Sequence, residues 1–367
     1  MASFTLGVEE EFHVVDLTTR KVVPRADALL DRLPGFVTEL QRSTVESNSL
    51  PCVDLHDLGQ NLSELRRTLV ETAQPMGLGL AAAGSLPLVD SHGGESTDGP
   101  RYRRIFDDYQ LLAREQFICG TQVHVELRDR DLAVVVAQRI GGWLPTLVAL
   151  SASSPYWLGV DSGYASFRTM LWQRWPTAGP FNGVNSWDEY DRLVTDLIRS
   201  KVISDRGMVY FDVRPSCHVP TVELRVCDSC PLISDILLIA GLFRALVIQE
   251  CRAVAAGEPP RPPRPELRRV AIWRAARWGL EGELSGPSDV TPIPAGDMVF
   301  RLLDELRPVL EEFGDWKTVS ELAAAAVARG SSAARQRAAF AERGDLADAV
   351  DLVLAETRMD LQASVNL

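Results

Sequence analysis

The run Thr221 to Cys227, TVELRVC, alternates polar and apolar side chains without a break, and that two-residue period constrains the fold more than any other feature. Successive strand side chains point to opposite faces. Thr221, Glu223, Arg225 and Cys227 should therefore share one face, and Val222, Leu224 and Val226 the other. The pattern returns in Phe117–Leu127, where Gln122, His124 and Glu126 oppose Val123, Val125 and Leu127. It returns in Val209–Arg214, where Tyr210, Asp212 and Arg214 align. In the opening strand, Phe4–Val15, Glu9 and Glu11 project together while Glu10 points the other way. Strands of this half-polar kind belong to antiparallel sheets with one face packed on a core.

The rest of the chain supplies the helices for that core. Leu58, Leu62, Leu65, Leu69 and Ala73 form a helical stripe with Asp57 as its expected N-cap. Tyr102, Ile105, Phe106, Tyr109 and Leu112 mark a second helix, Leu132–Leu150 a third, and the chain beyond Pro231 is mostly helical. Further strands are expected near Glu39–Val45 and Leu78–Ala83, a flexible loop at 91–100, a long aperiodic loop at Gly159–Gly183, and a stiff proline-rich excursion at 257–266. Strands and helices mixed in this way predict an α+β fold. No G-x-G-x-x-G follows the first strand, which argues against a doubly wound dinucleotide-binding sheet.

Charge and cysteine content narrow the function. The chain carries 38 basic and 50 acidic residues, a net charge of −12, without the basic stripe that a nucleic-acid surface needs. The most apolar stretch, Leu232–Gln249, is interrupted by Asp235 and Arg244 and reads as a buried helix. MASFTLGVEEEF shows no secretory leader, and six scattered cysteines do not form a secreted disulfide framework, so a soluble, cytoplasmic protein is expected.

Two carboxylates on neighbouring positions of one strand face repel unless water or a cation lies between them. Magnesium, which takes carboxylate and phosphate oxygens, is the natural cation for Glu9 and Glu11. An exposed acidic edge explains the same pattern equally well. Joined by His124, Glu223 and Arg225, however, that face would make a platform for metal-assisted phosphate chemistry.

The same residues carry a resemblance. GVEEEF at 7–12, Glu39 and Glu46 ahead of a proline, CGTQVHV at 119–125, the segment 154–180, DRGMVYFDVRPS at 205–216, TVELRVCD at 221–228 and AARWGLEGEL at 275–284 resemble the type 2 glutamate–cysteine ligase-like family of carboxylate–amine ligases. The resemblance runs over nearly the whole chain and implies one catalytic domain spanning 1–367. It implies a glutamine-synthetase-like fold, with a curved antiparallel sheet as the floor of an ATP site and helices on its back. ATP would phosphorylate a small carboxylic acid, and an amine would attack the acyl phosphate. Glutamate and cysteine are the family's named pair, ATP and Mg2+ its cofactors, and a homodimer its expected assembly.

Carried over motif by motif, Glu9, Glu11, Glu46 and Glu223, with Glu39, are expected metal ligands, although Glu39 falls on the wrong strand face unless a turn intervenes. His124 is expected against phosphate or its metal, and Arg225 against the transferring phosphoryl group. Arg168, Arg174 and Arg214 are expected to hold ATP phosphate or a substrate carboxylate, for which arginine's bidentate fork is suited. The chain departs from the family at Glu126, where glycine is common, at Ser153, where asparagine is common, and in the polar Ser47–Asn48–Ser49. Those departures are expected to tune the substrate pocket.

Other readings remain open. A zinc or redox site at Cys227 and Cys230, with Cys217 and His218 upstream, lacks a second CxxC. His13, His56 and His92 have no convincing partners, and no G-x-S-x-G suggests a serine nucleophile. A nucleotide-binding relative that has lost turnover, or a ligase for a non-glutamate acid, would share the same motifs.

Overall fold

A computed structural model describes residues 4–89, 94–260, 264–287 and 289–359; His92 and part of each expected polar excursion lie outside them. The first nine strands in chain order are β1 (Leu6–Asp16), β2 (Val37–Thr38), β3 (Thr44–Asn48), β4 (Leu78–Ala81), β5 (Gly120–Glu126), β6 (Tyr156–Trp157), β7 (Val160–Asp161), β8 (Val213–Pro215) and β9 (Thr221–Asp228). Seven of them form one sheet in the order β2-β3-β1-β5-β9-β8, with β4 also paired to β1. Every pairing is antiparallel.

The alternation read from the sequence places the core. Leu6, Val8, Val123, Val125, Val222 and Leu224 line the back of the sheet and pack with the helices Leu144–Ser151 and Ile233–Ala255. The latter is buried almost throughout from Ile233 to Ile248, a central core helix. No single helix among the described residues is long and apolar enough to cross a membrane. Glu10 points to this back face, where it meets Arg66 of the Leu55–Ala73 helix at 2.6 Å with both side chains buried. Arg66 also donates to the carbonyls of Pro231 and Cys230, so one guanidinium ties helix, sheet and the start of the central helix together.

Several expected boundaries move, each for a local reason. The expected strand Glu39–Val45 is a hairpin, β2 and β3, with a turn between them. Asp54, not Asp57, caps the Leu55–Ala73 helix, its side chain accepting from Asp57 N at 2.8 Å. The expected helix Leu132–Leu150 is two helices, Arg130–Arg139 and Leu144–Ser151, bent by 70°. The bend falls at Gly141 and Gly142, where a Cβ would collide with Arg268 and Pro287. The long aperiodic loop contains the β6–β7 hairpin and a helix, Phe167–Trp172.

The largest correction concerns parity on β9. Val123 pairs with Leu224, yet Thr121 pairs with Cys227, so a bulge inserts one residue opposite β5. Leu224 and Cys227 therefore both face the core, and Cys227 is not aligned with Glu223 as the unbroken alternation predicts. Cys227 and Cys230 are wholly buried, and no cysteine belongs to a metal-capable cluster among the described residues.

Candidate active site

The front of the sheet carries a continuous polar row, set by strand register. Glu46 on β3 lies opposite Glu11, Asn48 opposite Glu9, and Glu9 opposite Gln122 on β5. His124 lies opposite Glu223 on β9, and Glu223 opposite Arg214 on β8. Two groups of potential ligand atoms result, each with all atoms within 4.8 Å of one another: Glu9, His124 and Glu223, and Glu11, Glu39 and Glu46. Glu39 joins the second because the β2–β3 turn folds it back over the floor. That turn is held by Thr97, whose hydroxyl donates to Glu39 O, and by Tyr102, whose hydroxyl donates to Thr38 O at 3.1 Å.

The two groups differ electrically. In the first, Arg214 grips Glu223 through Nε at 2.8 Å and Nη2 at 3.2 Å, and Arg225 contacts the same carboxylate. Burial pushes the Glu223 carboxyl up, but Arg225 and Arg214 outweigh it and hold it well below the usual carboxylate range. Arg225 also donates to Gln122 Oε1 at 2.7 Å. The His124 ring hydrogen-bonds Thr221 Oγ1 through Nδ1 at 2.8 Å. Its Nε2 lies 3.1 Å from Glu9 Oε1 but off hydrogen-bond alignment, a buried nitrogen without a donor–acceptor partner. Burial lowers the pKa of His124, but Glu9 and Glu223 outweigh it and raise it.

In the second group no arginine among the described residues pairs directly with a carboxylate. Burial, then the neighbouring Glu39, pushes Glu11 up to about 7, opposed by Arg168 and by Gly120 N, which donates to Glu11 Oε2 at 2.6 Å. Burial, Glu39 and Glu9 push Glu46 well above its usual range. Clustered carboxylates and an imidazole nitrogen left open on a buried floor fit a divalent cation, which would supply the charge the row lacks.

Above the floor is a cavity of about 200 Å³. Its acidic side is Glu9, Glu11, Glu39 and Glu46; its other wall is Trp172, Trp175, Tyr210 and Tyr102, with Arg101 alongside. Trp172 and Tyr210 pack at 4.8 Å between ring centroids, and Tyr210 lies under the Arg225 guanidinium at 6.0 Å. Arg168, Arg214 and Arg225 line the cavity; Arg174 does not, and pairs instead with Glu115 at 3.2 Å. Arg168 is 3% exposed and reaches the carbonyls of Arg225 and Val226 at 3.4 Å, across the β9 bulge. Its approach requires Gly120, since a Cβ there would collide with Nη2. Buried Asp228 fixes the loop that delivers it, accepting from Ser153 N at 3.0 Å, Ser154 Oγ at 2.7 Å and Ser166 Oγ at 2.8 Å.

The sequence profile of glutamate–cysteine ligase family 2 matches residues 5–352, the span that builds this floor and its walls. The chain belongs to that family. A relative from Mycolicibacterium smegmatis (strain ATCC 700084 / mc(2)155), provisionally named glutamate–cysteine ligase 2-2, is 53% identical over 355 residues, covering 96% of this chain and 90% of its own. A relative of the same provisional name from Frankia casuarinae is 58% identical over 355 residues, 96% of this chain but 41% of its own length, so this chain spans less than half of that protein. Among solved structures, a glutamate–cysteine ligase from Francisella tularensis in complex with AMP superposes with a TM-score of 0.70 at 13% identity, covering 97% of this chain and 89% of that one. A bifunctional glutathione synthetase from Pasteurella multocida gives 0.72 at 15%, covering 98% and 52%. These two likenesses establish the fold, a glutamine-synthetase-like α+β ligase architecture with an antiparallel sheet floor.

Within this family member, the expected departures do not line the cavity. Glu126 bonds Thr5 and Arg128, and buried Ser153 donates to Ser229 O at 2.7 Å. Ser47 faces back, opposite Glu10, and Ser49 accepts from Val8 N. These hold the scaffold, whereas Asn48 lies opposite Glu9 on the polar face and donates to Glu46 Oε1 at 3.0 Å. The residues that sequence reasoning missed are Arg101, Tyr102, Trp172 and Trp175. The i, i+3 pair in LWQRW was a readable signal for the tryptophans; nothing in the sequence pointed Arg101 at the floor.

Proposed function

We propose that this chain is an ATP-dependent carboxylate–amine ligase that makes an amide through an acyl phosphate, with residues 1–367 serving as one catalytic domain. The observation that carries the reading is the row of Glu9, Glu11, Glu46, His124, Glu223 and Arg225 on one sheet face, beneath a walled cavity, in a member of glutamate–cysteine ligase family 2. The AMP held by the Francisella ligase of like fold supports an adenine nucleotide as co-substrate.

Glu9, His124 and Glu223 would hold one magnesium ion and Glu11, Glu39 and Glu46 another. Bound there, Mg2+ supplies positive charge to phosphate oxygens. The chemistry asked of the chain is mainly positioning. A substrate carboxylate oxygen attacks the γ-phosphorus, the bond to the β-γ bridging oxygen breaks, and ADP leaves with that electron pair. Arg225, paired with Glu223, would stabilise charge on the transferring group. An amine then attacks the acyl carbon, inorganic phosphate departs, and the amine loses a proton. The aromatic wall would exclude water from the acyl phosphate. Glutamate and cysteine are the first pair to assay, and a different carboxylic acid is the alternative.

Hydroxylamine in place of the amine tests the scheme. With ATP, magnesium and the right acid, hydroxamate should form in step with ADP and phosphate. AMP and pyrophosphate would instead mean an acyl-adenylate route and overturn it; nucleotide binding without product across a matrix of acids and amines would mean a silent relative.

A further inference from the structure

A second cavity, of about 500 Å³, shares no lining residue with the first. It lies where the loop after the Phe167–Trp172 helix meets the Pro265–Trp278 helix; four charged residues line it, the exposed Glu266 and Arg269 and the less exposed, opposite pair Asp212 and Arg268. The strand alternation predicts Asp212 beside Tyr210 and Arg214 on the catalytic face. β8 starts only at Val213, however, and Asp212 alone of the three leaves that face.

Arg268 is 4% exposed, yet its side chain makes no hydrogen bond or ion pair among the described residues, and Nε and Nη2 are buried without partners. A buried guanidinium left unpaired is costly, and an anion would relieve it. Asp212 is the nearest candidate, and each group's charge acts on the other, but no ion pair closes within 4.0 Å. Burial, opposed by Arg268, pushes the Asp212 carboxyl up to about 6. Its backbone is committed elsewhere: Asp212 N donates to Gly179 O and Asp212 O accepts from Arg225 N, both at 2.9 Å. Ala178, Pro180 and Ile272 give the same cavity apolar lining.

A cation and an anion held apart beside an apolar wall match a zwitterion carrying an apolar substituent. We propose that this cavity binds a free α-amino acid with an apolar side chain, its carboxylate toward Arg268 and its ammonium toward Asp212. The site is separate from the ligase cavity and does not depend on the ligase reading. It is also one backbone hydrogen bond from Arg225, so its occupant would be felt at the catalytic row.

Isothermal titration of the full chain with L-leucine and L-valine tests this, with acetate and methylammonium as half-ligands. One saturable site per chain is expected for the amino acids, with each half-ligand weaker by about tenfold or more. Arg268→Gln and Asp212→Asn should each weaken leucine by about tenfold or more, while Glu46→Gln, in the other cavity, leaves it unchanged. Asp212→Asn preserves size and backbone bonds, so it decides the matter if Arg268→Gln does not fold. No saturable binding up to ~10 mM, where affinities are worth only ~3 kcal/mol, would overturn the proposal. So would binding that survives Asp212→Asn but is lost in Glu46→Gln.

Discussion

The two acidic clusters on the floor use the same residue type on the same sheet face, yet they stand in opposite charge states. Glu223 is clamped by Arg214 and Arg225 and stays ionised far below neutrality. Glu11 and Glu46 face other carboxylates and, among the described residues, no directly paired arginine; burial and those neighbours raise Glu11 to about 7 and Glu46 well above its ordinary range. The first cluster is charged in advance; the second needs an arriving cation to discharge its protons. Position on the sheet decides this: Glu223 lies beside β8, which brings Arg214, while Glu11 and Glu46 lie beside the β2–β3 turn, which brings Glu39.

The contrast is tested most severely at Glu223. Glu223→Gln removes the acid that both arginines share, and we expect ligase turnover to fall by about 10³-fold, or ~4 kcal/mol, with the sheet intact by circular dichroism. Wild-type amide formation by this variant would remove the pre-charged cluster from the mechanism.

Next in size is a stability effect at Glu11. A folded-state value of about 7, against an ordinary 4.5, means the folded protein binds this proton more tightly than the unfolded chain. The folded state is therefore penalised as pH rises from 4.5 through 7, reaching at most about 3 kcal/mol above 7. In EDTA, Glu11→Gln should raise the Tm at pH 8 and leave it unchanged at pH 4. Magnesium should stabilise the wild type more at pH 8 than at pH 6, because it displaces protons. Equal stabilisation at both would end the distinction between the clusters.

His13 gives an internal control further along β1, away from the carboxylates' fields. It is fully buried, and burial lowers its ring to about 4 against an ordinary 6.5. Stability from the neutral ring is complete above pH 6.5 and lost as pH falls towards 4, by about 3 kcal/mol at most and less after relaxation. A His13→Gln variant should flatten this acid limb of the thermal unfolding profile; an unchanged limb would assign the loss to other groups.

The smallest effects separate the two loop arginines. Arg168→Lys cannot span both bulge carbonyls and should cost about 1–2 kcal/mol in transition-state stabilisation, seen as a lower kcat/KM. Arg174→Lys, at a half-exposed pair with Glu115, should stay within about 0.5 kcal/mol of wild type. The reverse order would place Arg174, not Arg168, against substrate.

Much of this is legible in the chain. Alternation sets the faces of β1, β5 and most of β9, so residue order alone groups Glu9, Glu11, His124 and Glu223 and assigns Glu10 to the other side. The period fails at one inserted residue. The β9 bulge leaves no mark in TVELRVCD, yet it turns Cys227 into the core and offers Arg168 two carbonyls. Asp212 escapes the pattern similarly: it lies just ahead of the paired register that starts at Val213, and although Arg225 N still donates to its carbonyl, its side chain leaves the face that Tyr210 and Arg214 share.

The sequence by itself determined the sheet, its polar face and the residue types that could bind a cation, because strand geometry is local and has a fixed period. Only the tertiary structure decided the charge each residue carries and which neighbours wall the site. Glu39 reaches Glu11 through a turn, Arg214 reaches Glu223 through register, and Arg101 and Tyr102 arrive on a separate helix. Electrostatic interactions depend on distance and burial, and neither is written in residue order.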